Sequence, residues 1–168
     1  MSGHSRWSQI KHKKAITDKK KGQLFSKMSK LISLAARKES NPEINIELRG
    51  IIERARQINM PKENIEKAIS RISDKSPRLE ELYIEALGPG GVALKIKAVT
   101  DNRNRTISEI KKILSDCNSK MVPLGSIGWM FNESISISAV NINSQLYKLF
   151  DVLDDNDDVE DITSNLQE

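Results

Sequence analysis

Two classes of residue in this chain could do chemistry: a dense run of cations near the N-terminus and a second pair of arginines past the middle. Arg6, Lys11, Lys13, Lys14, Lys19, Lys20, Lys21, Lys27 and Lys30 fall within thirty residues, with Asp18 the only opposing charge. A solvated surface helix normally interleaves signs to gain i,i+4 pairs. Here the repulsion is uncompensated, and a polyanion would relieve it on binding. His4 and His12, the only histidines, sit among these bases, where they suit hydrogen bonds to phosphate. Trp7 lies in the same stretch, and an indole there can stack on a base or pack against protein, the second reading being at least as strong. In the second cluster, Arg103 and Arg105 flank Asn104 within Asp101-Asn102-Arg103-Asn104-Arg105-Thr106. Two readings are equally weighted. The segment is a strand-to-helix turn with a capping side chain, or its arginines make a second phosphate contact beside a helix N-terminus.

Other chemistries find little support. A zinc site needs about four N, S or O ligands at characteristic spacing, and two histidines with the single Cys117 do not supply it. Cys117 reads as a small helix-face residue, and with one cysteine no intramolecular disulfide forms, as in a reducing compartment. There is no Gly-x-Ser-x-Gly element and no recognisable acid–base pairing. Gly88-Pro89-Gly90-Gly91 is followed by a strand pattern, whereas a phosphate-cradling loop leads into a helix N-terminus, so it reads as a turn. The expectation is a protein that is not an enzyme and uses no metal or cofactor.

The charge is unevenly spread. Residues 1–78 hold 19 Lys and Arg against 8 Asp and Glu, a net of +11; residues 79–168 hold 8 against 15, a net of −7. This asymmetry points to a polyanionic partner for the first half. No stretch approaches the roughly 20 apolar residues of a membrane span, and no apolar signal core opens the chain. The acid-poor first 38 residues do share their character with mitochondrial presequences.

The elements that must position these residues follow from periodicity. Residues 1–17 read as a basic arm. Leu24, Phe25, Met28, Leu31, Ile32 and Ala35 form one face of a helix over residues 18–38, with Lys19, Lys20, Lys21, Lys27 and Lys30 on the other. Asn41-Pro42-Glu43 reads as the start of a second helix with the stripe Ile44, Leu48, Ile51, Ile52, Ala55 and Ile58. Met60-Pro61-Lys62-Glu63 starts a third. Residues 18–76 therefore form a three-helix bundle, with a polar linker at 73–77. Beyond it, residues 82–87 and 92–100 read as strands, Asp101 or Asn102 caps a helix, 126–131 and 134–140 read as strands, Asn143 or Ser144 caps a helix, and 159–163 is a closing strand. The expected class is α+β: the bundle, then a ferredoxin-like β-α-β-β-α-β domain over residues 77–168.

Together these residues resemble the YebC family, which includes the mitochondrial translational activator of cytochrome c oxidase. Gly3-His4-Ser5-Arg6-Trp7 is similar to the family's Gly-His-Ser-Lys-Trp opening, and Asn59-Met60-Pro61-Lys62-Glu63-Asn64-Ile65 resembles its third-helix signature. Gly88-Pro89-Gly90-Gly91-Val92, the segment from Thr100 to Thr106 and Gly125-Ser126-Ile127 follow in family order, and residues 153–165 resemble its closing segment. The resemblance implies a three-helix domain followed by an α+β domain and a role in gene expression, either as a DNA-binding transcriptional regulator or as a ribosome-associated factor that helps translation of difficult, proline-rich stretches. Because the family opening begins at residue 3, the resemblance leads one to expect no cleavable presequence and a cytoplasmic protein. The family usually carries a third domain inserted near Phe131; here residues 133–143 bridge straight to the closing helix, so that domain is expected to be absent.

Three functions follow as expectations. The first is a translation factor that contacts ribosomal RNA on the ribosome through the basic arm and helices, with Arg103 and Arg105 assisting. The second is a DNA-binding regulator, although no recognition helix with base-reading side chains stands out. The third is an interaction protein whose basic half meets an acidic protein or a membrane.

Overall fold

A computed structural model describes residues 18–71 and 78–167, with side chains from residue 20 onward. The described residues form two compact units. One holds 18–71 and 78–80 with 99–101; the other holds 81–98 and 102–167.

The first unit is built from α1 (Asp18–Ala36), α2 (Ile46–Gln57) and α3 (Lys62–Ser70). Their apolar stripes bury as the spacing predicts, with Ile32, Leu48, Ala55, Ile65 and Ala68 in one core. The Ser33 hydroxyl, buried on α1, donates to the Ala68 carbonyl of α3 at 2.8 Å. The link between α2 and α3 is set by Asn59, in the left-handed region at φ 59°. Its N–H donates to the Arg56 carbonyl at 2.9 Å, and the Met60 N–H donates to the Ala55 carbonyl at 3.0 Å. These two bonds make a Schellman stop, and Pro61 then prevents the helix from continuing. Asn59-Met60-Pro61 is therefore a helix terminator with a physical cause.

The second helix starts later than its sequence suggests. Asn41 does not cap it; its carboxamide oxygen accepts from the Glu43 N–H at 2.9 Å in a local turn. Asn45 is the cap, accepting from Leu48 N–H at 3.0 Å while its amide donates to the carbonyls of Ala35 and Glu39. Asn45 wins because it satisfies the end of α1 and the start of α2 at once. Ile44, expected on the buried stripe, is left exposed as a result.

The second unit is built from β1 (Glu80–Leu87) and β2 (Ala93–Thr100), except for Glu80 and the last two residues of β2, with α4 (Arg103–Asp116), β3 (Lys120–Val122), α5 (Val140–Asp154) and β4 (Val159–Ser164). The sheet order is β3-β1-β2-β4. β3 runs antiparallel to β1 with Glu85 opposite Val122, and β4 antiparallel to β2 with Leu94 opposite Ser164. One sheet face carries Leu82, Ile84, Ala86, Leu94, Ile96 and Ala98. Both helices cover it, through Ile110 and Leu114 of α4 and through Leu146, Leu149, Phe150 and Leu153 of α5. The α+β class stands.

Within that class the element order is β-β-α-β-α-β, and two expected strands are corrected. Residues 126–131 form a turn and a 3-10 segment, Gly128–Asn132. Gly125 sits at φ 89°, and the N–H groups of Gly125 and Ile127 donate to the Glu85 carboxylate rather than to a neighbouring strand. Residues 134–140 are an extended connector. Only Ile135 is bridged, to Leu166, and Ile137 packs against the core. Its clean alternation reflects two inward isoleucines, not a ladder. Its length leaves α5 to begin at Val140, so neither Asn143 nor Ser144 is a cap. Both lie inside the helix, and the Asn143 amide donates back to the Ile137 carbonyl at 3.0 Å.

Candidate nucleic-acid interface

Of the expected phosphate-binding residues, His4, Arg6, Trp7, Lys11, His12, Lys13 and Lys14 lie outside the described residues, as does the side chain of Lys19. The described part of the basic surface begins on α1. After Asp18 no acid occurs in the chain until Glu39, so α1 is a helix with cations alone on its polar side. Lys20, Lys27 and Lys30 recur at intervals of seven and three and fall on one flank. All three are half-buried, as expected when aliphatic stems lie along a helix surface and carry the ammonium outward. Lys21 is different. By helical period it stands above Phe25, Met28 and Ile32 on the apolar side, and it is exposed because it precedes the first buried residue by nearly two turns. The lysines of α1 thus form a flank plus one cation at the helix start, rather than a single stripe.

Several other cations of this unit are committed to holding it together. Arg37 donates to the Leu79 carbonyl at 3.1 Å. Lys38 pairs with Glu47 at 2.8 Å. Arg49 clamps the turn before α2, donating to the carbonyls of Pro42 and Glu43 at 3.1 and 2.6 Å. Lys62 faces Glu66 one turn away.

The second cluster resolves into two roles. Asn102 caps α4 by accepting from the Arg105 N–H at 3.1 Å. Arg103 and Arg105, two apart on a helix, point to different sides. Arg105 turns inward, its guanidinium 2.9 Å from Asp158 and 3.8 Å from Glu109. Asp158 is buried, and its carboxylate also accepts from the Thr106 hydroxyl at 2.6 Å. Arg105 therefore fastens the turn before β4 to the first turn of α4. Arg103 is exposed at the same helix start. The capped-turn reading accounts for Asn102 and Arg105, and the phosphate reading keeps Arg103.

On the sheet face opposite α4 and α5, Lys97 lies 3.0 Å from Glu81 and 3.4 Å from Glu160. Burial pulls the Lys97 ammonium down, but the hydrogen bond to Glu81 and the charges of Glu160 and Glu81 outweigh it and hold the group well above the ordinary lysine range. Beside it, Tyr83 is raised by burial, with the Lys97 charge opposing and Glu81 reinforcing. Among the described residues no group of His, Cys, Asp and Glu could hold a metal ion, and no helix is long and apolar enough to cross a membrane. Sequence reasoning passed over Trp129, which the structure exposes on the 3-10 segment. Its signal was the aromatic set between Gly128 and Met130 just after the Gly125 turn, which reads as a strand when only hydrophobicity is counted.

Comparison with known proteins agrees with this architecture. A family model described as the TACO1/YebC protein N-terminal domain matches residues 5–75, and one described as the TACO1/YebC second and third domain matches residues 79–146. A relative from Dictyoglomus turgidum named "Probable transcriptional regulatory protein" is 51% identical over 140 residues, covering 82% of this chain and 56% of its own length. One of the same name from Pseudothermotoga lettingae is 42% identical over 177 residues, covering 98% of this chain and 70% of its own. The crystal structure of a conserved hypothetical protein from Aquifex aeolicus superimposes with a TM-score of 0.87 at 27% identity, covering 97% of each chain. The chain thus spans a little over half the length of the Dictyoglomus relative. With the motifs, the matched models and the shared fold in agreement, the chain belongs to the TACO1/YebC family.

Proposed function

We propose that this chain is a nucleic-acid-binding regulator of gene expression that works without catalysis or a cofactor, docking on phosphates through its basic N-terminal half. The carrying observation is the split of charge, +11 over residues 1–78 against −7 over the remainder, with α1 presenting lysines that no acid of its own helix offsets beyond Asp18. The names of the relatives, probable transcriptional regulatory proteins, support a regulatory role. Within that role the favoured target is ribosomal RNA on the cytoplasmic ribosome, where the protein would aid translation of proline-rich stretches. A charged flank that holds a backbone without a base-reading helix suits a large folded RNA better than one operator sequence.

The names of the relatives favour a second reading, a DNA-binding transcriptional regulator. Sedimentation separates the two. Comigration of the chain with ribosomes in a sucrose gradient at low salt, and its release at high salt, is the expected result. Absence from the ribosomal fractions together with preference for one promoter over random DNA of equal length would replace the first reading with the second.

A further inference from the structure

The sheet unit carries an exposed aromatic that its own fold does not use. Trp129 is 66% exposed and Leu124 65% exposed, both on the segment between β3 and α5. This segment is rigidly built. The Glu85 carboxylate, 3% exposed on β1, accepts the Gly125 and Ile127 N–H groups at 2.9 and 3.4 Å. Further along, the amide of the buried Asn165 donates to the Met130 carbonyl at 3.1 Å, while its oxygen accepts from Ala93 N–H at 2.8 Å. Ile127 is buried. Trp129 therefore stands between two anchored points, on a 3-10 turn too short to move independently. An indole displayed this way loses little conformational entropy when it binds.

The charge around it is unlike the rest of the unit. Lys95 lies 5.3 Å from the centre of the Phe131 ring, two residues from Trp129. Lys120 is opposite Leu87, at the hairpin end of the sheet. From residue 117 to residue 150 the only acid is Glu133. The acids cluster at the opposite end, in the turn that leads to Val159, which is paired with Ala98. The acid-dense run from Asp151 to Asp161 thus lies at the end away from the exposed indole and two lysines, while Glu85, beneath the indole's segment, is occupied by the Gly125 and Ile127 N–H groups.

We infer that Trp129 is a stacking platform for an unpaired base of single-stranded RNA, with Lys95 and Lys120 placed for the adjoining phosphates. This rests on the nucleic-acid reading of the basic half and adds a second contact on the other unit. Stacking on an aromatic is tolerant of sequence and requires a base free of its helix. The same indole meeting an apolar protein partner would leave RNA affinity unaffected when it is removed.

The test uses the full chain and a short uridine-rich single strand carrying a fluorescent label, with a blunt RNA duplex of equal length for comparison. Replacing Trp129 by Leu should weaken single-strand binding about 5- to 100-fold while leaving its salt slope unchanged, because a stack neutralises no phosphate. Trp129→Tyr should restore most of the loss, and duplex binding should change little. In a Trp7→Phe background, where Trp129 is the remaining tryptophan, its emission should be quenched as the strand binds. Undiminished single-strand affinity in Trp129→Leu, or equal weakening toward the duplex, overturns the inference while the basic-half reading stands. Failure of the unmodified chain to bind either RNA overturns both.

Discussion

The Thr106 hydroxyl donates a 2.6 Å hydrogen bond to the carboxylate of Asp158, which is 4% exposed and reaches Arg105 through the same oxygen at 2.9 Å. Two neighbours on the first turn of α4 thus hold one acid from the turn before β4. Removing the acid leaves the buried Thr106 hydroxyl to the Asn102 carbonyl, at 3.2 Å, and half releases a guanidinium. Asp158→Ala should cost about 2–4 kcal/mol in urea unfolding. Arg105→Ala should cost about 1 kcal/mol, because its side chain is 44% exposed and solvent screens the pair. Equal losses from the two would show that the arginine, not the threonine, carries the contact.

Arg105 also shows how far sequence reasoning reached. Residue type and position narrow the cap to Asp101 or Asn102, and period alone gives β2 and the bundle stripes apart from Ile44. What Arg105 does was not visible, because Asp158 lies more than fifty positions away and nothing local marks it as the partner. The misread strands have a similar origin. In residues 126–131 the hydrophobic pattern suits a strand, but Glu85 from another element takes the backbone donors. Alternation in residues 134–140 is real, yet β4 and the segment after it offer only one bridging position. Local period identifies which side chains turn inward; it does not say which backbone groups find a partner.

Glu85 supplies the next prediction. Two N–H groups of the Trp129 segment end on its carboxylate. Glu85→Ala should destabilise the fold by about 2–3 kcal/mol through unsatisfied buried donors. Amide exchange at Gly125 and Ile127 should rise more than the global loss accounts for. Glu85→Gln keeps an acceptor oxygen and should retain most of the protection; similar exchange in both variants would exclude the carboxylate as the anchor.

The turn between β1 and β2 tests backbone conformation against space. Gly90 lies at φ 72°, and a Cβ there would meet Ile137 Cδ1 at 2.9 Å and Ile142 Cγ2 at 3.0 Å. Gly91 lies at φ 76° with nothing within 4 Å. Gly91→Ala should therefore show only the left-handed penalty, about 1–2 kcal/mol. Gly90→Ala should lose more, by about a further 1 kcal/mol of overpacking. Adding Ile137→Val, which removes the Cδ1 methyl, should recover part of that difference. The order of the two glycine variants by thermal melting decides it.

Lys97 makes stability depend on alkaline pH. Its folded pKa is held above the ordinary lysine value, by the Glu81 hydrogen bond and the charges of Glu160 and Glu81 against the cost of burial. A group raised on folding stabilises fully below its unfolded pKa, near 10.4, and the contribution fades as pH climbs through the folded value. Tyr83, raised chiefly by burial, acts in the same direction above about pH 10. The protein should hold its stability through neutral pH and lose it progressively above about pH 10. Lys97→Met should be less stable by about 1–2 kcal/mol at pH 7, leaving Glu81 and Glu160 without their shared cation. It should also show a shallower decline above about pH 10, where the unmodified protein begins to surrender that cation's contribution. Parallel pH profiles for the two proteins would show that Lys97 and its carboxylates are coupled no more strongly in the folded chain than in the unfolded one.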